Sequence, residues 1–184
     1  MDSSCLLEWK MINSRPADSV PLFKISHTKY KWWDREEYIQ QFLLIAKNDH
    51  YHLAFRLALD FGLRIGEIVG LNCNDIDLSL CQIHVHRQWL ESEKGFGPTK
   101  HGKERFLKYP SNSEIDYLMQ NALKGKESDE PLITNLSGGR VNPQKLSRTY
   151  FQRVAKAANN PRIRFHDLRH TFASWFMIKN DNIW

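Results

Sequence analysis

Two arginines that lie far apart in the chain have neighbours suited to a phosphate site. Arg64 lies in FGLRIGE, where Glu67 follows three residues later and can orient its guanidinium. Residues three or four apart share one face of a helix, so RFHDLRHTFAS would project His166, Arg169 and His170 together. A cation placed beside apolar residues needs an anion, and guanidinium groups bind phosphate oxygens through paired hydrogen bonds. The pattern predicts an anion site that Arg64 and Arg169 share.

Lysine and histidine side chains add proton-transfer chemistry to these arginines. GPTKHGKE carries Lys100, with Lys103 three residues later. An ammonium group can protonate a leaving alkoxide, and a histidine such as His166 can serve the other proton transfers. Arginines can stabilise the charge of a pentacoordinate phosphorus, so this set suits phosphodiester cleavage without a metal. Each residue also has an ordinary interpretation, as a solvated turn lysine, a snorkelling surface arginine or a core histidine.

Histidine spacing raises a metal interpretation as well. His166 and His170 have the i, i+4 spacing of helical zinc ligands, but the glutamate of the HExxH motif is missing and Arg169 would repel a dication. His84 and His86 would point to one face of a strand, with no third ligand evident nearby. We therefore predict no metal ligand and no cofactor, and we assign this histidine pair to strand positions that face solvent or DNA.

The charge distribution indicates a polyanionic partner. Of the 184 residues, 41% are hydrophobic and 26% are charged, and the net charge is +5. Residues 139–170 hold eight basic side chains against one acidic one, and residues 81–110 hold six against three. Two basic segments that converge would suit double-stranded DNA, whereas a merely solvated basic surface is the alternative. The expected DNA contacts outside the catalytic set are Lys103, Arg140, Lys145, Arg148 and Arg164.

Other classes of protein are disfavoured by the sequence. No apolar run has the length of a membrane span, and MDSSCLLEWK lacks the basic-then-apolar order of a signal peptide. The three cysteines form no CxxC pair, which favours reduced thiols. We expect a cytoplasmic protein that does not contact a membrane.

Hydrophobic periodicity predicts a mainly α-helical domain with one small antiparallel sheet, an α+β fold. CQIHVHRQWL and RFLKYP alternate like strands, and ESEKGFGPTKHGKE reads as a turn-rich connection between them. The predicted helices lie in WWDREEYIQQFLLIAKND, YHLAFRLALDFGL, RIGEIVG, SNSEIDYLMQNALKG, NPQKLSRTYFQRVAKAANN and RFHDLRHTFASWFMIKN.

Three blocks of the sequence resemble a known family. ALDFGLRIGEIVGLNCNDID, GPTKHGKERFLKYP and RFHDLRHTFAS are similar, in order and distance, to the landmark segments of the tyrosine recombinase, or phage integrase, catalytic domain. The resemblance extends from about Trp32 onward. The roles that the resemblance implies are phosphate clamping for Arg64 and Arg169, general acid for Lys100, proton handling for His166, and support for Glu67 and His170. Lys103 would take the general-acid role of Lys100 if the turn has a different register.

The family implies a site-specific DNA recombinase of a bacterial prophage or mobile element. Its tyrosine would attack a DNA phosphodiester, form a 3′-phosphotyrosyl link and release a 5′-hydroxyl, in a tetramer on paired sites and without metal. The alternatives are a non-catalytic DNA-binding regulator with this fold and a type IB topoisomerase-like enzyme. The intact cationic set disfavours the regulator, while length and block spacing disfavour the topoisomerase.

The position of the tyrosines departs from the family pattern. The family nucleophile follows the HxxR block, whereas all six tyrosines here precede His166. We expect residues 1–25 to be the tail of an N-terminal core-binding domain plus a linker. We expect residues 26–184 to be a catalytic domain without its C-terminal nucleophile segment, and therefore unable to cleave DNA.

Overall fold

A computed structural model describes residues 31–100 and 102–180, apart from the side chain of Asn180. The predicted core-binding tail and linker at residues 1–25 lie outside the described residues, as does Tyr30. No helix in the described part is both long and apolar enough to cross a membrane.

Helices make up most of the regular structure, as predicted, and the sheets are small and antiparallel. The helices are α1 (Glu36–Ala46), α2 (His52–Phe61), α3 (Ile65–Gly70), a 3₁₀ turn (Cys73–Asp75), α4 (Glu114–Leu123), α5 (Pro143–Lys145), a π-helical segment (Leu146–Phe151), α6 (Gln152–Ala157) and α7 (Phe165–Asn180). The strands are β1 (Ile76–Asp77), β2 (Gln82–Val85), β3 (Arg87–Leu90), β4 (Gly95–Pro98) and β5 (Arg105–Lys108).

The strands form two antiparallel sheets rather than one predicted pair. One sheet has the order β1-β2-β5, and the other is the β3-β4 hairpin. The prediction that CQIHVHRQWL is a single strand was wrong, because the chain leaves the first sheet at His86 and enters the second at Arg87. The predicted connection also contains β4, where a Cβ on Gly97 would lie 2.5 Å from Leu90 Cδ1. Glycine there lets the Leu90 side chain of β3 pack directly against β4, so it is part of a strand rather than of a turn.

An aromatic cluster joins the N-terminal helices to the C-terminal ones. Trp33 and Phe42 lie 5.1 Å apart between ring centroids, and Phe151 packs 5.6 Å from Phe165 at the start of α7. The Trp33 backbone N–H donates to Thr171 Oγ1 at 3.2 Å. These buried contacts fix the position of α7 against α1 and the helix that carries Phe151.

A single glycine sets the junction between α2, α3 and α7. Gly62 ends α2 in the left-handed region, at φ 60°. A Cβ at this position would lie 2.4 Å from Phe172 Cδ1 on α7. Glycine therefore permits both the turn and the close approach of α7 to the start of α3. The junction brings Arg64 and Arg169 to the same side of the domain.

Candidate functional site

A buried carboxylate organises the site. Arg64 precedes α3 with an extended backbone, and Glu67 occupies the first turn of that helix. The side chain of Glu67 is 0% exposed; its Oε2 accepts from the Arg64 backbone N–H at 2.9 Å, and its Oε1 accepts from Arg64 Nη1 at 3.1 Å. These bonds cap the helix and orient the guanidinium.

A second guanidinium reaches the same carboxylate from the sheet. Arg105 on β5 donates from Nη2 to Glu67 Oε2 at 2.8 Å and from Nη1 to Oε1 at 3.3 Å. Burial alone would raise the pKa of Glu67, but the bonds from Arg105 and Arg64 outweigh it and lower the pKa below its ordinary value. Sequence reasoning missed Arg105. Arg105 lies two residues before half-buried Leu107 on β5, so both side chains are on the same face of the strand. This spacing was the available signal, since an arginine on the inner face of a strand needs a partner.

Arg169 completes a group of three arginines. Its Nη1 donates to the Gly62 carbonyl, which ties α7 to the end of α2. Burial lowers the pKa of Arg169, as do the charges of Arg64 and Arg105, while Glu67 acts in the opposite direction. Arg64 and Arg169, which the sequence motifs pointed to, therefore lie in one electrostatic environment. One carboxylate faces three guanidiniums, so the group has an excess of positive charge.

These side chains surround an open cavity of about 820 Å³. Phe61 and Phe172 supply apolar walls, and Thr99 Oγ1 donates to the Lys103 carbonyl at 2.8 Å in the loop between β4 and β5. Lys103 lines the cavity, whereas Lys100 lies exposed in the turn after β4 and does not line it. The charged side chains of the lining are Arg64, Glu67, Lys103, Glu104, Arg105 and Arg169.

His166 and His170 lie on the helix that carries Arg169, but neither lines the cavity. Their ring centroids are 5.0 Å apart and the rings are nearly perpendicular. Desolvation by the surrounding protein lowers the pKa of His166, and the His170 ring lowers it further. The lowered pKa favours the neutral imidazole of His166, the form that accepts a proton.

Arg140 does not have the exposed position expected of a phosphate contact. Its guanidinium donates to the Val69 carbonyl and to Asn72 Oδ1, the latter at 2.6 Å. Its Cζ lies 4.9 Å from the Trp89 ring centroid and 4.8 Å from that of Phe96. Burial lowers its pKa, and the charge of Arg87 contributes in the same direction. This placement argues against the DNA-contact interpretation: Arg140 joins the β3-β4 hairpin to the end of α3.

The other predicted DNA contacts lie at the surface. Lys145 and Arg148 are exposed at the junction of α5 with the π-helical segment, a distortion frequent at functional sites. Arg164 is also exposed, but its guanidinium donates twice to buried Asp167, at 2.8 and 3.1 Å. The charge of Arg164 is therefore partly neutralised within the protein.

The histidine pair at the end of β2 has carboxylate neighbours that the sequence did not reveal. His86 Nε2 lies 3.0 Å from Asp75 Oδ1, and His84 Nε2 lies 3.1 Å from Glu104 Oε2. Sequence spacing made no third ligand evident for this pair, and the structure places two carboxylates beside it. Asp75 and Glu104 come from the 3₁₀ turn and the loop before β5, so local sequence spacing could not place them beside the histidines.

The tyrosines of the described part lie away from the cavity. Tyr51 and Tyr109 are buried in the core, and burial raises the pKa of Tyr109 to about 12. Tyr150 stacks on Tyr51 with ring centroids 4.3 Å apart, and Tyr117 is exposed on α4. None of the five described tyrosines contributes to the lining.

Comparison with curated proteins reveals related sequences. Tyrosine recombinase XerA of Saccharolobus solfataricus is 29% identical over 177 residues, which cover 96% of this chain and 52% of that protein. The integrase of Salmonella phage P22 is 24% identical over 92% of this chain and 42% of its own length. The chain thus spans about half the length of the curated relatives it matches.

Solved structures share the fold of this chain. A Tn1549 transposon integrase in complex with a circular intermediate DNA has a TM-score of 0.71 at 20% identity, over 96% of this chain and 63% of that one. A lambda integrase comprising residues 75–356 and bound to DNA has a TM-score of 0.65 at 18% identity, over 96% and 61%. The sequence model of the phage integrase family matches residues 34–182. The chain belongs to the phage integrase family.

Proposed function

We propose that this chain is the catalytic domain of a site-specific DNA recombinase, in which the cavity holds the scissile phosphate. The observation that carries the proposal is the convergence of Arg64, Arg105 and Arg169 on one open cavity with a single buried carboxylate beneath them. Membership of the phage integrase family supports it. DNA in the solved structures of similar integrases supports double-stranded DNA as the partner.

The arginines would act on the non-bridging phosphate oxygens. Glu67 holds Arg64 and Arg105 in fixed directions, so their remaining N–H groups need little reorganisation when negative charge develops. Arg169 approaches from α7, held by the Gly62 carbonyl. Guanidiniums from three different elements would surround a pentacoordinate phosphorus, and their charge would stabilise it most when its own charge is greatest.

Proton transfer is assigned to His166 and to a lysine of the loop between β4 and β5. His166 lies outside the cavity lining, on the helix that carries Arg169, and the family pattern is the ground for assigning it the proton of an attacking hydroxyl. Lys103 lines the cavity and Lys100 lies three residues away in the same loop. The family pattern favours Lys100 as the general acid, and the cavity lining favours Lys103. A DNA substrate with a 5′-bridging sulfur distinguishes the two lysines. Its leaving group needs no proton, so cleavage of this substrate should be largely restored in the variant that lacks the general acid.

The nucleophile is proposed to be a tyrosine other than the six of this sequence. None of the described tyrosines lines the cavity, and water is a poor substitute for a positioned hydroxyl. The parent protein would form a 3′-phosphotyrosyl link and act as a tetramer on paired sites. Residues 1–25 would be the end of a core-binding domain, and residues 26–184 the catalytic domain.

DNA binding by the 184-residue chain tests the phosphate site. We expect a dissociation constant of roughly 10⁻⁴ to 10⁻⁶ M for generic duplex DNA at physiological salt, with strong salt dependence. Arg64→Ala and Arg169→Ala should each weaken binding and lower the salt slope by about 1, measured by fluorescence anisotropy. Exposed Lys156 on α6, which does not line the cavity, supplies a matched Lys156→Ala control. Unchanged binding by both arginine variants would contradict the site.

Covalent trapping tests the nucleophile. A nicked suicide duplex should give no covalent protein–DNA band with this chain on a denaturing gel. A band that disappears when one of the six tyrosines is replaced by Phe would place the nucleophile within the 184 residues and refute this part of the proposal.

A further inference from the structure

The face of the β1-β2-β5 sheet carries a cluster of metal-ligating side chains outside the phosphate cavity. His84 and His86 project from the same side of the chain, with ring centroids 4.6 Å apart and an angle of 24° between the rings. One ligand atom from each of Asp75, His84 and His86 lies within 4.8 Å of the others. Three ligands from two elements therefore already approach a common point.

The carboxylate of this cluster is fixed in direction by the protein. Asp75 is buried, and its Oδ2 accepts from the Asn72 backbone N–H at 2.8 Å and from Arg87 Nη2 at 2.8 Å. Its Oδ1 remains directed at His86 Nε2, 3.0 Å away. Hydrogen bonds that hold the outer oxygen and leave the inner one for a cation are typical of the surroundings of metal sites.

A fourth ligand, a carboxylate oxygen of Glu104, lies beside His84. Glu104 Oε2 is 3.1 Å from His84 Nε2, and the Glu104 side chain is 67% exposed, so it can change direction at little cost. The stacked ring of Phe106, 4.3 Å from that of His84, restricts the imidazole and shields one side. The two carboxylates and the two imidazoles form a mixed nitrogen and oxygen set.

We propose that Asp75, His84, His86 and Glu104 bind one divalent transition-metal ion of the zinc class. Zinc bonds to imidazole and carboxylate at about 2.0–2.2 Å, which separates tetrahedral ligand atoms by about 3.3 Å. His86 Nε2 and Asp75 Oδ1, 3.0 Å apart, are already near that separation within the 4.8 Å group, and Glu104, 3.1 Å from His84 Nε2, would have to turn toward this group to complete the set. Imidazole ligands disfavour magnesium and calcium, which prefer oxygen.

Arg87 balances the charge of this site. It contacts Asp75 through the oxygen that faces away from the histidines, so it leaves the inner oxygen available. Two carboxylates and one arginine leave one net negative charge to attract a dication. In this respect the cluster differs from the His166 and His170 pair, where the charges of Arg164 and Arg169 both act against a further positive charge at His166.

Metal titration of the tag-free, EDTA-treated 184-residue protein tests the proposal. Isothermal titration calorimetry with zinc should give one site per chain, and His84→Gln and His86→Gln should each lower the affinity at least tenfold. Glu104→Gln should lower it less, because Glu104 is exposed and replaceable by water. His50→Gln is the matched control, since His50 is an exposed histidine that bonds the Thr134 carbonyl elsewhere. Equal losses in all histidine variants, or none in His84→Gln and His86→Gln, would overturn the proposal.

Cobalt supplies a second readout that does not depend on calorimetry. The wild-type protein with Co²⁺ should show the intense visible absorption of a four-coordinate complex, and His84→Gln should lose it while its circular dichroism is unchanged. Retention of the spectrum in folded His84→Gln would also overturn the assignment. Neither measurement contains DNA, so failure of the metal site would leave the proposed recombinase function intact.

Discussion

The arginines around the cavity and those of the basic stretch at residues 139–164 use their charge differently. Arg64 and Arg105 share one carboxylate, and Arg169 donates to a backbone carbonyl, so the group keeps a net positive charge. In the basic stretch, Arg164 contacts Asp167 through two guanidinium nitrogens, and Arg140 is enclosed by carbonyls and aromatic rings. A count of charge along the segment includes Arg140 and Arg164 fully, although little of the charge of these two side chains remains for DNA.

The comparison separates two uses of a buried acid. Glu67 has no exposed surface and serves two arginines, which orients cations toward an opening. Asp167, also buried, binds the guanidinium of one arginine, Arg164, and its Oδ2 accepts from the Arg164 backbone N–H at 2.7 Å as well, which caps α7. One acid therefore builds a binding site, whereas the other mainly stabilises a helix start.

The largest predicted effect comes from removing the acid beneath the cavity. Glu67→Ala leaves two half-buried guanidiniums and the Arg64 N–H without their partner, so the free energy of unfolding should fall by about 3–5 kcal/mol. Urea denaturation followed by circular dichroism measures it. A decrease below about 1 kcal/mol would show that the arginines are satisfied without Glu67, and would break the contrast with the basic stretch.

The same residue gives a pH dependence with a defined sign. The pKa of folded Glu67 lies below its ordinary value of 4.5, so its contribution is present above about pH 4.5 and is lost as the pH falls through the lower folded value. Glu67→Gln should therefore flatten the acid side of the stability curve relative to wild type. Parallel curves for the two proteins between pH 6 and pH 3 would contradict the assignment.

Gly62→Ala should show how the cavity arginines are brought together. The left-handed backbone costs about 1–2 kcal/mol with alanine, and overlap with Phe172 should add about 1–3 kcal/mol. Gly125→Ala is a matched control, because Gly125 has φ 73° but a Cβ there would meet nothing within 4 Å. Equal stability losses in thermal or urea unfolding would mean that α7 moves without cost and that the junction is not rigid.

Arg140→Lys tests the other side of the comparison. Lysine cannot reproduce the bonds to the Val69 carbonyl and Asn72 together with stacking on Trp89, so unfolding should become easier by about 2 kcal/mol. DNA affinity of the folded protein should not change. The exposed Lys145→Ala variant should behave conversely, with stability within about 0.5 kcal/mol of wild type and weaker DNA binding. Lower DNA affinity in folded Arg140→Lys would mean that Arg140 does contact a phosphate, as the sequence predicted.

Much of the fold could be predicted from local pattern, because apolar spacing and caps are properties of short segments. Ser113 accepts from the Asp116 N–H at 3.3 Å at the start of α4, and Pro143 lies in the first turn of α5. The two-sheet arrangement could not be predicted in this way. It involves the close approach of the Trp89 backbone to Gly70, where a Cβ would lie 3.0 Å from the Trp89 backbone nitrogen. Such a contact between distant segments leaves no periodic signal in the sequence.

The residues of the candidate sites also differ in whether local sequence could predict them. Arg64, Glu67 and Arg169 were found because they occupy motifs whose neighbours have fixed helical spacing. Arg105, Asp75 and Glu104 were missed because their partners come from other elements of the chain. Charge alone placed Arg140 on DNA, although the aromatic rings that enclose it are distant in sequence.

The smallest predicted effect concerns the surface arginines and gives the finest test of the contrast. Removing one side chain that binds a phosphate should reduce the slope of log binding constant against log salt by about 1, with uniformly weaker binding across DNA sequences. Arg148→Ala, which removes an exposed cation in the π-helical segment, should show that change. Arg164→Ala should show less than half of it, because the bond to Asp167 already restrains and neutralises the guanidinium, and binding DNA would require breaking it. Anisotropy titrations at four or more salt concentrations resolve the difference, provided that circular dichroism shows both variants folded. An Arg164→Ala slope change as large as that of Arg148→Ala would mean that exposure, rather than intramolecular pairing, decides which cations reach DNA.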